Sequence, residues 1–163
     1  MVFEVILIVA TLACSLVAGF LLAFAVVVMP GLRSLDDAGF LRAFQVIDRV
    51  IQDRQPVFML VWVGSLVSLA LAAALGLRHL EGAWRLLVSG LAVAALLGVH
   101  LPTLVVNIPL NDRLQTLRIE DLGADALRSA RRGFESRWNR WNRIRTVVAG
   151  LVSLLLIVTV WST

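Results

Sequence analysis

The chain has 163 residues, of which 60% are hydrophobic and 16% are charged, against roughly 45–50% and about 25% in an average soluble domain. Its fifteen basic residues are all arginine, and with eleven acidic residues they give a net charge of +4. This composition argues against a water-soluble globular domain, and the single cysteine excludes internal disulfides and metal sites built on cysteine pairs.

Four runs without formal charge divide the chain, and they are 28, 23, 26 and 18 residues long, at 5–32, 55–77, 86–111 and 146–163. A helix needs about 20 residues to cross the hydrocarbon core of a bilayer. The runs lack the alternation of a membrane β-barrel strand. They predict an all-α integral membrane four-helix bundle, forming a single domain over residues 1–163. The predicted spans, numbered 1 to 4, cover approximately 5–29, 56–77, 86–107 and 143–161.

An amphipathic helix is predicted between spans 1 and 2, at approximately 32–53. Its apolar residues recur at intervals of three and four, while charged residues, Asp48 among them, are assigned to the opposite side. This pattern is typical of a helix that lies along the inner membrane surface or packs beneath the bundle. A connecting role for this helix is favoured over a lid.

The arginines indicate how the chain is oriented. Four lie between spans 1 and 2, nine lie between spans 3 and 4 or at the start of span 4, and two lie in the remaining loop. By the positive-inside rule, the long loops are expected in the cytoplasm and both termini outside, in the inner (cytoplasmic) membrane. Acidic residues are interspersed in the same loops, so the basic charge indicates membrane lipids as partners and not nucleic acid.

Span 3 ends in a segment, HLPTLVVNIPLNDR, that is unusually polar for a membrane helix. Pro102 and Pro109 lack an N–H, so they leave the carbonyls of Gly98 and Val105 without their helical partners, and the helix is expected to kink. Four polar side chains lie zero, three, seven and eleven residues from His100, which places them on one face of the helix: His100, Thr103, Asn107 and Asn111.

Span 4 begins with a matching polar stripe. Its members lie zero, three, seven and ten residues from Glu135, and Trp141 lies beside them: Glu135, Trp138, Asn142 and Arg145. Both stripes lie at the same membrane surface, because span 3 arrives there and span 4 leaves from it. Polar groups facing lipid are costly, so the two stripes are expected to meet in a pocket open to the cytoplasmic interface.

Structural interpretations of these residues remain open. The asparagines of span 3 are equally consistent with helix caps, the tryptophans with an interfacial aromatic belt, and Arg145 with a side chain that reaches lipid headgroups. His100 could be a neutral histidine that donates to a freed carbonyl, although an ionisable group inside a span is by default a functional candidate. The sequence contains no HExxH motif or paired carboxylates, so no metal site is predicted.

Three segments carry a family resemblance: MPGL at 29–32, NIPLNDRL at 107–114 and RWNRWNRIRT at 137–146. Together with the amphipathic stretch, they resemble the anthrone-oxygenase-like family of small four-helix membrane proteins. The resemblance implies oxidation of a hydrophobic aromatic substrate, an anthrone, to an anthraquinone with O₂ and without a metal or flavin cofactor. Such chemistry is plausible because the substrate's doubly benzylic carbon is acidic and its carbanion can pass an electron to oxygen.

The resemblance also implies roles for the stripe residues. The asparagines Asn107, Asn111 and Asn142, together with Arg145, would donate to the oxyanion of the substrate. Trp138 and Trp141 would flank a planar ring. Thr103 is a further candidate for substrate binding by its place in the stripe alone. His100 is the candidate base by its position alone. These roles require a protein that deprotonates its substrate, stabilises the enolate and excludes water.

A second function is compatible with the same sequence. The chain could be a non-enzymatic membrane protein that binds a lipid, a quinone or a partner protein, with the stripes serving only as structural glue. A closed, dry interface between spans 3 and 4 would favour this alternative, whereas a cavity of a few hundred cubic ångströms lined by both stripes would favour a ligand site. The oligomeric state is left open by the sequence.

Overall fold

A computed structural model of the chain describes residues 1–162, and within them every regular element is helical. The principal helices are α1 (Val2–Arg33), α2 (Asp37–Gln52), α3 (Pro56–His79), α4 (Gly82–Gln115) and α5 (Ala124–Ser162). By length and composition α1, α3, α4 and α5 can each cross a membrane. The prediction of an all-α membrane bundle is confirmed, and the chain is a multi-pass membrane protein.

Local sequence signals set the starts of α2 and α3. The Asp36 side chain accepts a hydrogen bond from the Gly39 N–H at 2.7 Å, which caps the first turn of α2. The side chain of Gln55 caps α3 in the same way, and Pro56 occupies the first turn, where its missing N–H leaves no carbonyl unsatisfied. These two caps fix where the amphipathic helix begins and where the next span leaves it.

Three wide, π-helical turns interrupt the membrane helices, at Phe24–Val28, Leu96–His100 and Thr103–Asn107. Each of them ends two residues before a proline. In each case the N–H of the residue just before the proline bonds to the carbonyl five residues back, as Leu101 does to Leu96. The wider turn lets the helix continue past a residue that cannot donate, which is how membrane helices tolerate proline.

The four membrane helices pack tightly in the half of the bundle that carries both chain termini. Small residues such as Ala10 on α1 and Ala72 on α3 are fully buried there, as are Val88 on α4 and Leu156 on α5. Small side chains allow helix backbones to approach closely, which is the main source of helix association in lipid. This half of the bundle therefore fixes the relative positions of the four membrane helices.

Gly98 marks a close contact of α4 with α5. A Cβ at this position would lie 2.7 Å from Val148 Cγ1 and 3.3 Å from Val148 Cβ, and a β-branched valine has little freedom to move aside. We expect Gly98→Ala to destabilise the protein by about 1–3 kcal/mol, seen as a lower Tm in detergent. Gly90→Ala, on the same helix with no neighbour within 4 Å, is the matched control and should leave Tm unchanged or raised. Equal Tm values for both variants would contradict this close contact.

At the other end of the bundle, α2 packs beneath the membrane helices and does not lie free along a surface. Arg131 of α5 bonds to Asp37 at 3.2 Å and also donates to the backbone carbonyls of Arg33 and Leu35. Gln45 of α2 donates to two carbonyls at the end of α4. Aromatic rings from α2 and α5 complete the contact: Phe40, Phe44, Phe134 and Trp138.

Candidate active site

The half of the bundle above α2 encloses a cavity of about 450 Å³, to which all five helices contribute. Its volume falls within the range of about 300–1,000 Å³ that is typical of small-molecule sites. The contact between α4 and α5 at this end is therefore not the closed, dry interface that a purely structural role would favour. The cavity lies between the aromatic contact of α2 with α5 and the tightly packed half of the bundle.

Seven of the eight side chains predicted for the site line this cavity: His100, Thr103, Asn107, Asn111, Trp138, Asn142 and Arg145. The two polar stripes therefore meet. The exception is Trp141, which is partly buried against the apolar cluster of α2 and the neighbouring helix ends. Glu135, the first member of the span 4 stripe, also lies outside the lining, because it forms ion pairs with Arg33 and Arg131 at 3.0 Å each.

Arg145 is the charged group at the inner end of the site, and only 4% of its surface is exposed. Its Nη1 donates to Thr103 Oγ1 at 2.8 Å, and its Nη2 donates to Asn142 Oδ1 at 3.1 Å. The Nε–H is buried without a partner, and no carboxylate among residues 1–162 lies within ion-pair distance of the guanidinium. A buried cation without an anion is costly, so this corner of the cavity favours a ligand with negative charge or a strong acceptor.

Asn107 carries the least satisfied amide of the site. It is 2% exposed, and neither its Nδ2 nor its Oδ1 has a hydrogen-bond partner. Buried amides are normally bonded, and each unpaired group costs about 1–3 kcal/mol. Asn107 lines the cavity, so a rotation of its side chain would bring the donor and the acceptor of the amide to a ligand.

His100 is the member of the α4 polar stripe that lies farthest along the helix from Asn111. Its ring contacts Trp62 edge-on, with the centroids 5.5 Å apart, and its nitrogens form no hydrogen bond with any residue in 1–162. The imidazole is therefore not engaged by the carbonyl that Pro102 frees. It is buried on the cavity wall, where a ligand would find its nitrogens unoccupied.

The structural interpretations of the other stripe residues do not fit this geometry. The Asn107 side chain makes no capping bond, although it stands at the start of a helical segment. Trp138 is buried among aromatic rings, not exposed in a belt, and Arg145 is too deeply buried to reach headgroups. Asn142 donates to the carbonyl of Leu21 at 3.1 Å, which ties α5 to α1 behind the cavity.

Asp48 was assigned to the solvent side of the amphipathic helix, and this assignment is wrong. The residue is 3% exposed and lines the cavity, where it accepts a hydrogen bond from Asn111 Nδ2 at 2.7 Å. Its spacing of four from Phe44 and eight from Phe40, both buried, places the three side chains on one face of α2. This spacing can be read from the sequence, and it would have predicted that Asp48 is buried.

The walls of the cavity are aromatic, and one side is formed by apolar residues that are also exposed on the outer surface. Phe24, Phe58 and Trp62 line it together with Trp138. Four apolar residues on α3 and α4 line the cavity and are also exposed on the outer surface: Met59, Val63, Leu104 and Ile108. Exposed apolar side chains on membrane helices face acyl chains, so this wall of the cavity, formed by α3 and α4, borders the bilayer.

Metal ligands are scarce throughout the described chain. Within residues 1–162, no group of three or more histidine, cysteine, aspartate or glutamate side chains is placed to hold a metal ion. The chemistry that the cavity residues themselves offer is hydrogen bonding, positive charge and an unoccupied imidazole beside aromatic walls.

A comparison with known protein families gives one match. Residues 49–155, about two thirds of the chain, match the family model described as anthrone oxygenase. The matched region includes α3 and α4 and most of α5, and with them all the predicted site residues. No curated protein and no solved structure matches the chain.

Proposed function

The chain belongs to the anthrone oxygenase family, and from this premise we propose that it oxidises a lipophilic, anthrone-type aromatic with O₂, without a metal or flavin. The cavity binds the planar ring between its aromatic walls. His100 removes a proton from the methylene carbon opposite the ketone. Arg145 and Asn107 stabilise the ketone oxygen as it becomes an enolate, and Asn142 holds the Arg145 guanidinium through its Oδ1. Thr103 orients the guanidinium, and Asn111 with Trp138 closes the cavity towards α2.

The proposed reaction is balanced with O₂ as the only co-reactant. Removal of one proton gives an enolate, which passes electrons to O₂, and a carbon–oxygen bond forms to give a hydroperoxide at the former methylene carbon. Removal of the second proton from that carbon breaks the O–O bond and expels hydroxide, which is protonated to water. One anthrone and one O₂ thus yield one anthraquinone and one water. The protein supplies one site that accepts and returns protons and one that stabilises the oxyanion.

The observation that carries the proposal is the Arg145 corner of the cavity. A guanidinium with no carboxylate of residues 1–162 within ion-pair distance and an amide without partners lie on the wall of one aromatic cavity. Hydrogen-bonding groups left without partners favour a ligand on which negative charge develops. A neutral lipid tail would leave them unsatisfied, so the geometry favours an enolisable aromatic ketone over the alternative of a lipid-binding protein.

The test is turnover by the purified protein in lipid nanodiscs. Under air, an anthrone should be converted to the anthraquinone faster than in empty nanodiscs, with one O₂ consumed for each product formed. Under argon the reaction should stop. No acceleration over empty nanodiscs would contradict the proposal, and binding of the anthrone without turnover would favour the non-enzymatic alternative.

We further propose that the protein lies in the cytoplasmic membrane, with both termini outside and α2 on the cytoplasmic side. In a Cys14→Ala background, Ala83→Cys reports on the short loop and Ser136→Cys on the α2 side, and both positions are exposed. A membrane-impermeant maleimide added to intact spheroplasts should label Ala83→Cys, and it should label Ser136→Cys only after lysis. The reverse pattern would invert the proposed topology.

A further inference from the structure

Asp48 is a buried carboxylate for which the proposed reaction has no role. It lines the cavity from α2, and no arginine, histidine or terminal amine in residues 1–162 lies within 4 Å of it. An unpaired buried charge is costly, and an amide or an apolar residue could fill the same space. A carboxylate kept at this position therefore requires a reason beyond packing.

Three amide donors hold the carboxylate in place. Asn111 Nδ2 donates to Oδ1 at 2.7 Å, while Gln115 Nε2 and Gln52 Nε2 donate to Oδ2 at 2.9 and 3.3 Å. All three partners are donors, so the group acts here purely as an acceptor. A carboxylate can accept about four hydrogen bonds, which leaves capacity for one more donor. The cavity is the space from which that donor can come.

The same network fixes the polarity of the cavity. The indole Nε1–H of Trp138 donates to Asn111 Oδ1 at 2.9 Å, which turns the amide so that its Nδ2 faces Asp48. The Trp138 ring also lies 5.8 Å from the guanidinium carbon of Arg145. One part of the cavity, at Arg145, thus offers donors, while another, at Asp48, offers an acceptor. A ligand that satisfies both carries an acceptor oxygen and a separate hydrogen-bond donor.

We propose that Asp48 is a specificity-determining residue that accepts a hydrogen bond from a hydroxyl group on the ring of the bound aromatic. This inference rests on the proposed function, since it assumes that an anthrone-type ring occupies the cavity. A cationic group is disfavoured because Arg54 and Arg145 line the same cavity. A ring that carries only carbonyl oxygens would meet the carboxylate with a second acceptor, so Asp48 also selects against unsubstituted quinones.

The test compares two kinds of probe under argon, where no turnover occurs. Monohydroxylated anthrones, one for each positional isomer, are matched with their methyl ethers, and binding is followed by quenching of tryptophan fluorescence in nanodiscs. For at least one isomer, the hydroxyl form should bind the native protein about tenfold more tightly than its ether, equivalent to about 1.4 kcal/mol. In Asp48→Asn this preference should fall to about twofold or less, while binding of the ether is unchanged.

Asp53→Asn is the matched control, because Asp53 directly follows α2, is exposed and lies outside the cavity lining. It should retain the tenfold preference. Equal binding of hydroxyl and ether forms by the native protein would overturn the inference and leave the proposed function standing, and this comparison does not depend on the folding of any variant. A preference that survives in folded Asp48→Asn would overturn it as well. If no anthrone binds at all, the proposed function fails together with the inference.

Discussion

Replacing His100 by glutamine is expected to lower kcat for anthrone oxidation by about 10²–10⁴-fold, the usual contribution of a positioned general base. Glutamine is close to histidine in size and keeps hydrogen-bonding groups on the cavity wall, but it cannot accept and return a proton at neutral pH. Binding of the anthrone under argon should change little. The measurement is initial-rate anthraquinone formation in nanodiscs, with anaerobic fluorescence titration alongside it.

The second histidine provides the control for this variant. His79 is exposed at the end of α3, where its ring stacks on Phe3 at a centroid distance of 5.4 Å. His79→Gln should retain full kcat. If His100→Gln keeps activity within about threefold of the native protein, then His100 is not the base. Proton removal would then have to be assigned to water or to another cavity residue.

Replacing Arg145 by methionine is expected to lower kcat by about 10²–10³-fold, as removal of one oxyanion donor does in other enzymes. Methionine fills the space of the aliphatic stem and leaves no buried charge, so the protein should still fold, although Thr103 Oγ1 and Asn142 Oδ1 lose a donor. Arg145→Lys should rescue little of the loss. A lysine ammonium cannot reproduce the planar fork that meets Thr103, Asn142 and a ligand together.

Arg143→Met is the matched control, two residues away on α5 but exposed and outside the cavity lining. It removes the same charge at nearly the same position along α5. It therefore tests whether the loss of kcat comes from the cavity or from the overall electrostatic field of the arginines. Native turnover in Arg145→Met, or an equal loss in Arg143→Met, would refute the role of an oxyanion donor. Comparable Tm values for the two variants would show that any difference in rate is not a difference in folding.

The four-helix architecture could be predicted from the sequence because lipid solubility imposes a simple rule. Charge-free runs of 18 to 28 residues are long and apolar enough to form helices that span the hydrocarbon core of a membrane. The meeting of the two stripes also followed from connectivity, since α4 ends and α5 enters the membrane at the same surface. These predictions depend on periodicity and on the cost of exposing polar groups to lipid, both of which are local properties.

The rest of the site depends on tertiary packing that periodicity does not encode. The spacing of Asp48 from Phe40 and Phe44 places it on the buried face of α2, but the cavity lies against that face only because α2 folds beneath the bundle. The aromatic wall at Phe58 and Trp62 comes from α3, where no polar stripe marks the position. Trp141 stands three residues from Trp138, so its direction differs by about 60°, enough to turn it into the apolar packing. The prolines of α4 can be read from the sequence, but the wide turns by which the backbone accommodates them could not be predicted from it.

The exposed apolar wall of the cavity on α3 and α4 bears on which compounds meet the site. A molecule that arrives through Leu104 and Val63 must first dissolve among acyl chains, so partitioning from water into the bilayer acts as a filter ahead of any contact with the protein. Polar metabolites partition poorly into the bilayer, so few side chains are needed to reject them on this route. For compounds that arrive from the bilayer, the hydrogen-bonding residues of the cavity need to distinguish only among lipid-soluble molecules, which are a much smaller set than all metabolites.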